Sequence, residues 1–92
     1  MIPAMAFPGG SAWAMARDIA EGYSLVTERT FRTLTRAELD QLTFEMDRHT
    51  RELRGDQPGL DDQAAIQLRQ RRLQRLNQAG VVLRNYRSKQ RT

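Results

Sequence analysis

The chain has 92 residues, no cysteine and a formal net charge of +4, with 28% charged and 39% hydrophobic residues. This length allows one small domain with a marginal core and no disulfide to staple it, and the patterned apolar content excludes a wholly disordered chain. The lack of cysteine fits a reducing compartment, so a cytoplasmic location is expected.

Residues 1–10, MIPAMAFPGG, are apolar but do not make a secretory signal. Such a signal needs a positive start and an unbroken apolar run. Here the first basic residue is Arg17, and Pro3, Pro8, Gly9 and Gly10 interrupt the run. The segment is also too short to cross a bilayer, and no membrane association is expected. It reads as a flexible arm, with Ile2, Met5 and Phe7 available to cover an apolar groove, ahead of a single helical domain at 11–92. Ser11 is a suitable N-cap for a helix over about 12–22. In that helix Trp13, Ala16, Ile19 and Ala20 recur at helical spacing and Gly22 marks the end.

Residues 23–34, YSLVTERTFRTL, are rich in β-branched and aromatic side chains. They support either a strand or a continuation of the first helix. The signals sharpen at Leu34. Thr35 and Glu38 have the spacing of a capping box, and Leu34 and Leu39 that of a hydrophobic staple. Leu39, Leu42, Met46, His49 and Leu53 then repeat at intervals of 3 and 4 residues, a heptad seam. Arg54 suits a last turn and Gly55 a C′ position. GDQPGL is a turn centred on Pro58 and Gly59. Asp61 and Asp62 open a final helix as N-cap and first-turn anions, and Ile66, Leu73, Leu76, Gly80 and Leu83 form its seam, with Arg69 in the gap. The fold class is therefore mainly α: an antiparallel helical hairpin over about 36–54 and 62–88, preceded by a helix or strand segment.

A second apolar face occurs on the last helix. Leu68, Ala79, Val82 and Tyr86 lie well round from the seam, and Phe44 lies off the seam of its own helix. Two faces require two packing partners: the helix at 36–54, and either the N-terminal segment or a second copy of the chain. The expectation is a homodimer or higher oligomer completing a helical bundle. Its interface would comprise Leu68, Arg72, Ala79, Val82, Tyr86 and Phe44. The leading function is a non-enzymatic interaction or adaptor protein with itself and another protein as partners.

Charge offers an alternative. Residues 61–92 carry eight basic and two acidic side chains, whereas residues 1–60 carry seven basic and nine acidic ones. A basic half often marks an anionic partner. Yet the arginines spread round the helix, and its N-terminus is acidic. Acid at the start and base at the end also complements the helix macrodipole. If residues 23–34 form a strand, the order of elements resembles that of ribbon–helix–helix repressors, which implies nucleic-acid binding with Arg29 and Arg32 at the contact. Arg71 and Arg75 are the further candidates for nucleic acid. The long first helix and the GDQPGL turn depart from that pattern.

Enzymatic chemistry has no sequence support. Ser11, Ser24 and Ser88 lack a nucleophile's surroundings, and no glycine-rich phosphate loop occurs. No cofactor is expected. The only histidine, His49, has Glu45 and Glu52 on its helix face, a set that can ligate a metal when duplicated in a bundle. Its seam position and the nearby Arg48 favour a structural role, so no metal is expected either.

Overall fold

The computed structural model describes residues 11–56 and 58–90; the apolar arm at 1–10 lies outside them. The protein is mainly helical, and no strand occurs among the described residues. Four helices follow in order: α1 (Ala12–Glu21), α2 (Glu28–Arg32), α3 (Arg36–Gly55) and α4 (Gln63–Gln90).

Helix α1 starts where its cap dictates, with the Ser11 hydroxyl accepting from the Ala14 amide at 3.0 Å. It ends at Gly22, whose φ of +82° is the left-handed conformation that glycine adopts without a side-chain clash. The Gly22 amide donates to the Ile19 carbonyl at 3.2 Å and the Tyr23 amide to Asp18 at 2.8 Å, the paired bonds of a Schellman ending. Its inward face carries Ala12, Met15, Ala16, Ile19 and Ala20. Trp13, expected on that face, lies at its edge, with Arg17 above the indole and the His49 ring 5.7 Å away.

The strand option for 23–34 is not realised, and neither is one continuous helix. Gly22 ends α1, residues 24–27 belong to no regular element, and α2 begins at Glu28. Here the Thr30 hydroxyl accepts from the Thr27 amide at 3.2 Å, so a local cap overrides the β-propensity of the segment. A side-chain bond of this kind offers the backbone a helical start that a strand cannot match unless a neighbouring strand is present. α2 is short but drives Phe31 fully into the core, where its ring packs 6.0 Å from Tyr86 of α4.

α3 opens with the expected capping box. The Thr35 amide donates to Glu38 Oε1 at 2.7 Å, and the Glu38 amide donates to Thr35 Oγ1 at 3.1 Å. Leu39, Leu42 and Met46 of the seam are buried, while Leu53 packs at the margin and His49 is half-buried. Gly55 is not a left-handed C′ residue. It is the last helical residue, and the Asp56 amide closes the end on the Glu52 carbonyl at 3.0 Å. Asp62, not Asp61, caps α4, accepting from the Ala65 amide at 3.1 Å.

The core joins Met15, Ala16, Ile19 and Ala20 of α1, Phe31 and Leu34 around α2, Leu39, Leu42 and Met46 of α3, and Leu76, Ala79 and Leu83 of α4. Between α3 and α4, Asp40 pairs with Arg87, whereas Arg69 reaches Leu53, so the early part of one helix meets the late part of the other. On α4, Leu76 and Leu83 complete the seam, and Ala79 is buried with them. The N-terminal segment supplies the second packing partner that α4 requires. Val82 and Tyr86 rest half-buried against the same core.

Candidate functional site

The basic helix α4 has seven positively charged side chains, and five of them are engaged within the chain. Arg69 Nε donates to the Leu53 carbonyl at 2.6 Å, and its Nη2 donates to the Arg54 carbonyl at 3.2 Å. Those are two of the last carbonyls of α3, which have no partner inside their own helix. Arg75 Nη1 donates to the Ala20 carbonyl at 3.1 Å, serving the end of α1 in the same way. A cation at a helix C-terminus also meets the negative end of the macrodipole. Arg72 pairs with Glu21 at 2.8 Å, Arg87 with Asp40 and the Thr43 hydroxyl, and Lys89 with Glu28 at 2.6 Å. The positive charge of α4 thus complements the carboxylates and carbonyl ends of the three helices it packs against.

Glu28, the partner of Lys89, has a perturbed carboxyl. Its hydrogen bond from Lys89 holds its pKa below the ordinary glutamate value, with the charges of Lys89 and Arg32 acting in the same direction and burial opposing them.

The residues expected at an oligomer interface do not form one surface. Ala79 is 2% exposed and belongs to the core. Val82 and Tyr86 are partly covered, and Arg72 is tied to Glu21. Leu68 lies on the exposed early part of α4, at 39%. Phe44 is 58% exposed on the outer side of α3, beside Asp47, Thr50, Arg51 and Arg54. Of the candidates for nucleic-acid contact, Arg29 and Arg32 are exposed on α2 and Arg71 on α4, while Arg75 is half-buried against α1. With α2 in place of a strand, no ribbon occurs among the described residues to carry Arg29 and Arg32 into a groove.

Glu45, His49 and Glu52 do not come together as a metal-binding group; among the described residues no such cluster of three occurs. Both glutamates instead flank Arg48, at 3.6 and 3.7 Å. No described helix is long and apolar enough to cross a membrane.

Two openings stand out. The first, about 560 Å³, lies between α4 and the stretch that leaves α1, lined by Ile19, Leu25, Val26, Ala79, Val81 and Val82 among others. Its border carries exposed apolar side chains: Leu25 is 91% exposed and Val81 41%. The second is a trough between α3 and α4, formed by two adjoining openings of about 450 and 440 Å³ that share Met46, Asp47, Gly80 and Arg84. Gly80, in the middle of α4, lines it, and a methyl group placed there meets nothing within 4 Å. A glycine in a helix interior costs about 1 kcal/mol relative to alanine. Among the described residues nothing requires it.

Sequence reasoning missed both surfaces. Leu25 and Val26 fall in the segment that the sequence leaves open between strand and continued helix, and Gly80 reads as a member of the packing seam. The comparisons with known proteins return no match: no family model fits the chain, and no curated protein or solved structure is significantly similar to it.

Proposed function

We propose that the chain is a small, non-enzymatic helical interaction protein of the cytoplasm that works as a homo-oligomer. Its unit would be the antiparallel α3–α4 hairpin with α1 and α2 laid across it. The observation that carries this reading is the apolar face around Leu25, Val26, Val81 and Val82. Single exposed apolar side chains are ordinary, but a contiguous set with a polar rim usually marks a contact site. The rim here favours self-contact. Asn77 and Gln78 are uncharged, and the Arg75 guanidinium is already occupied by the Ala20 carbonyl. Two copies facing each other across a two-fold axis would bury this face without opposing like charges.

Light scattering on the full chain tests the reading. The wild type should show a dimer or larger species. Leu25→Glu and Val81→Glu should each shift it toward monomer with helicity retained, since both side chains already reach solvent. Val82→Glu is a poorer probe, because Val82 packs on the core and its loss would unfold part of the protein. A wild type that stays monomeric at high concentration would remove self-association. A salt-sensitive affinity for DNA or RNA, lost on charge reversal at Arg71 and Arg84, would put the nucleic-acid reading in its place.

A further inference from the structure

The trough between α3 and α4 has a different character from the apolar face, and we infer that it receives an acidic amphipathic helix from another protein. The inference rests on the interaction-protein reading, but not on self-association. Its first support is Gly80. On α4, Leu73, Gly80 and Arg84 fall within about 40° of one another, some 100° round from Ala79 and the α1 side. The glycine therefore points its missing side chain into the trough and not into the core. It weakens its own helix, and no described residue occupies the space above it. A glycine with no internal use on an open face permits the close approach of another backbone.

The second support is charge. Met46, Leu73 and Leu83 contribute apolar surface, while Arg54 and Arg84 stand at the border. Neither guanidinium has an ion-pair partner among the described residues. Among the described residues Asp47 is the only acidic side chain lining the trough. An apolar floor between unpaired cations suits a helix with an apolar stripe and flanking carboxylates. Three alternative occupants fit less well. A second copy would bring the same unpaired arginines to the same border. Residues 1–10 contain no acidic side chain. Nucleic acid would leave the apolar floor unused.

The third support is length. The lining of α4 runs from Leu73 to Ser88, which at about 1.5 Å per residue is roughly 22 Å, room for about four helical turns. Phe44, exposed beside Arg54, extends the apolar surface on the α3 side.

The test uses a fluorescent synthetic helical peptide of about 18 residues with leucines at heptad spacing and glutamates beside them. Fluorescence anisotropy is read against the full chain. The expected result is saturable binding of this peptide and none of a version with lysine for glutamate. Gly80→Leu, which fills open space, and Arg84→Glu should each weaken binding at least tenfold with helicity and melting temperature retained. Leu25→Glu should leave it unchanged whatever it does to the mass in solution, so this site and self-association fail separately. Equal binding of the lysine peptide, absence of binding, or indifference to Gly80→Leu would overturn the assignment. Displacement of the peptide by an 18-base-pair duplex at matched salt, with a tighter affinity for the duplex, would overturn it in favour of nucleic acid.

Discussion

Replacing Arg69 by Met should destabilise the protein although the side chain is only half-buried. Methionine keeps an unbranched stem of similar length and removes the guanidinium. The loss is two hydrogen bonds from a charged donor, at 2.6 Å to the Leu53 carbonyl and 3.2 Å to the Arg54 carbonyl. A bond from a charged group contributes about 1.5–3 kcal/mol, and the lower end applies to the partly buried one. The second is exposed and adds little, because water replaces it. Removing a cation from the end of α3 adds about 0.3–1 kcal/mol. The sum is about 2 kcal/mol. For a domain of this size each kcal/mol moves the melting temperature by about 4–8 °C, so a fall of roughly 8–16 °C is expected. Urea unfolding followed by circular dichroism measures it. Arg71→Met is the control, since Arg71 is exposed and makes no hydrogen bond or ion pair among the described residues, and it should change stability by less than about 0.5 kcal/mol. Equal effects at the two positions would refute the argument that α4 is basic because it caps its neighbours. Arg69→Lys should fall between them, as a single ammonium lacks the planar fork that reaches both carbonyls.

The remaining predictions concern single positions. Gly22→Ala should cost at least about 1 kcal/mol, because it places a Cβ at φ +82° and 2.9 Å from the Arg75 guanidinium carbon; thermal melting checks it. Leu76→Ala should cost about 2–5 kcal/mol in urea titration, and Leu73→Ala clearly less, since Leu76 is 3% exposed and Leu73 only half-buried. Gly80→Ala should instead raise stability by up to about 1 kcal/mol, through helix propensity in open space. The Glu28–Lys89 contact predicts a pH effect of definite sign. The folded pKa of Glu28 is lowered, so its contribution is fully present above the ordinary glutamate value and disappears as pH falls through the folded one. Glu28→Gln should flatten that part of the acid limb of the stability curve, and an unchanged limb would contradict the assignment.

How far the sequence speaks depends on the range of the interaction. Helix starts were legible at Ser11 and at Thr35 with Glu38, because each cap closes over three residues and needs nothing distant. The seam of α3 was legible for the same reason: Leu39, Leu42 and Met46 repeat within one element. Residues 23–34 were not. Their β-branched content has meaning only when a second strand is available, and none occurs among the described residues. Met15 escaped notice because its neighbours Ala14 and Ala16 blur the apolar stripe, yet it is fully buried. Gly55 and Gly22 look alike as helix stops, but only Gly22 is left-handed, because its α1 end closes with a 6→1 and a 5→2 bond while α3 runs through Gly55.

The arginines of α4 show the limit most clearly. Counted along the chain, they form a positive run without an acid, the pattern of a helix that seeks phosphate. In the fold, the partners of that charge are 15 to 61 residues away: Arg54 and Leu53 for Arg69, Ala20 for Arg75, Glu21 for Arg72, Asp40 for Arg87 and Glu28 for Lys89. Three of these, the carbonyls of Leu53, Arg54 and Ala20, are backbone sites that no tally of acidic side chains can register. Local charge balance therefore overstates the positive field that α4 offers to solvent, and the surplus is narrower than its composition implies. It is concentrated where guanidinium groups remain unpaired, at Arg71 on the exposed face and at Arg84 beside the trough. The position of Arg84 next to Gly80 is what gives the trough a sign, and with it a preference among occupants.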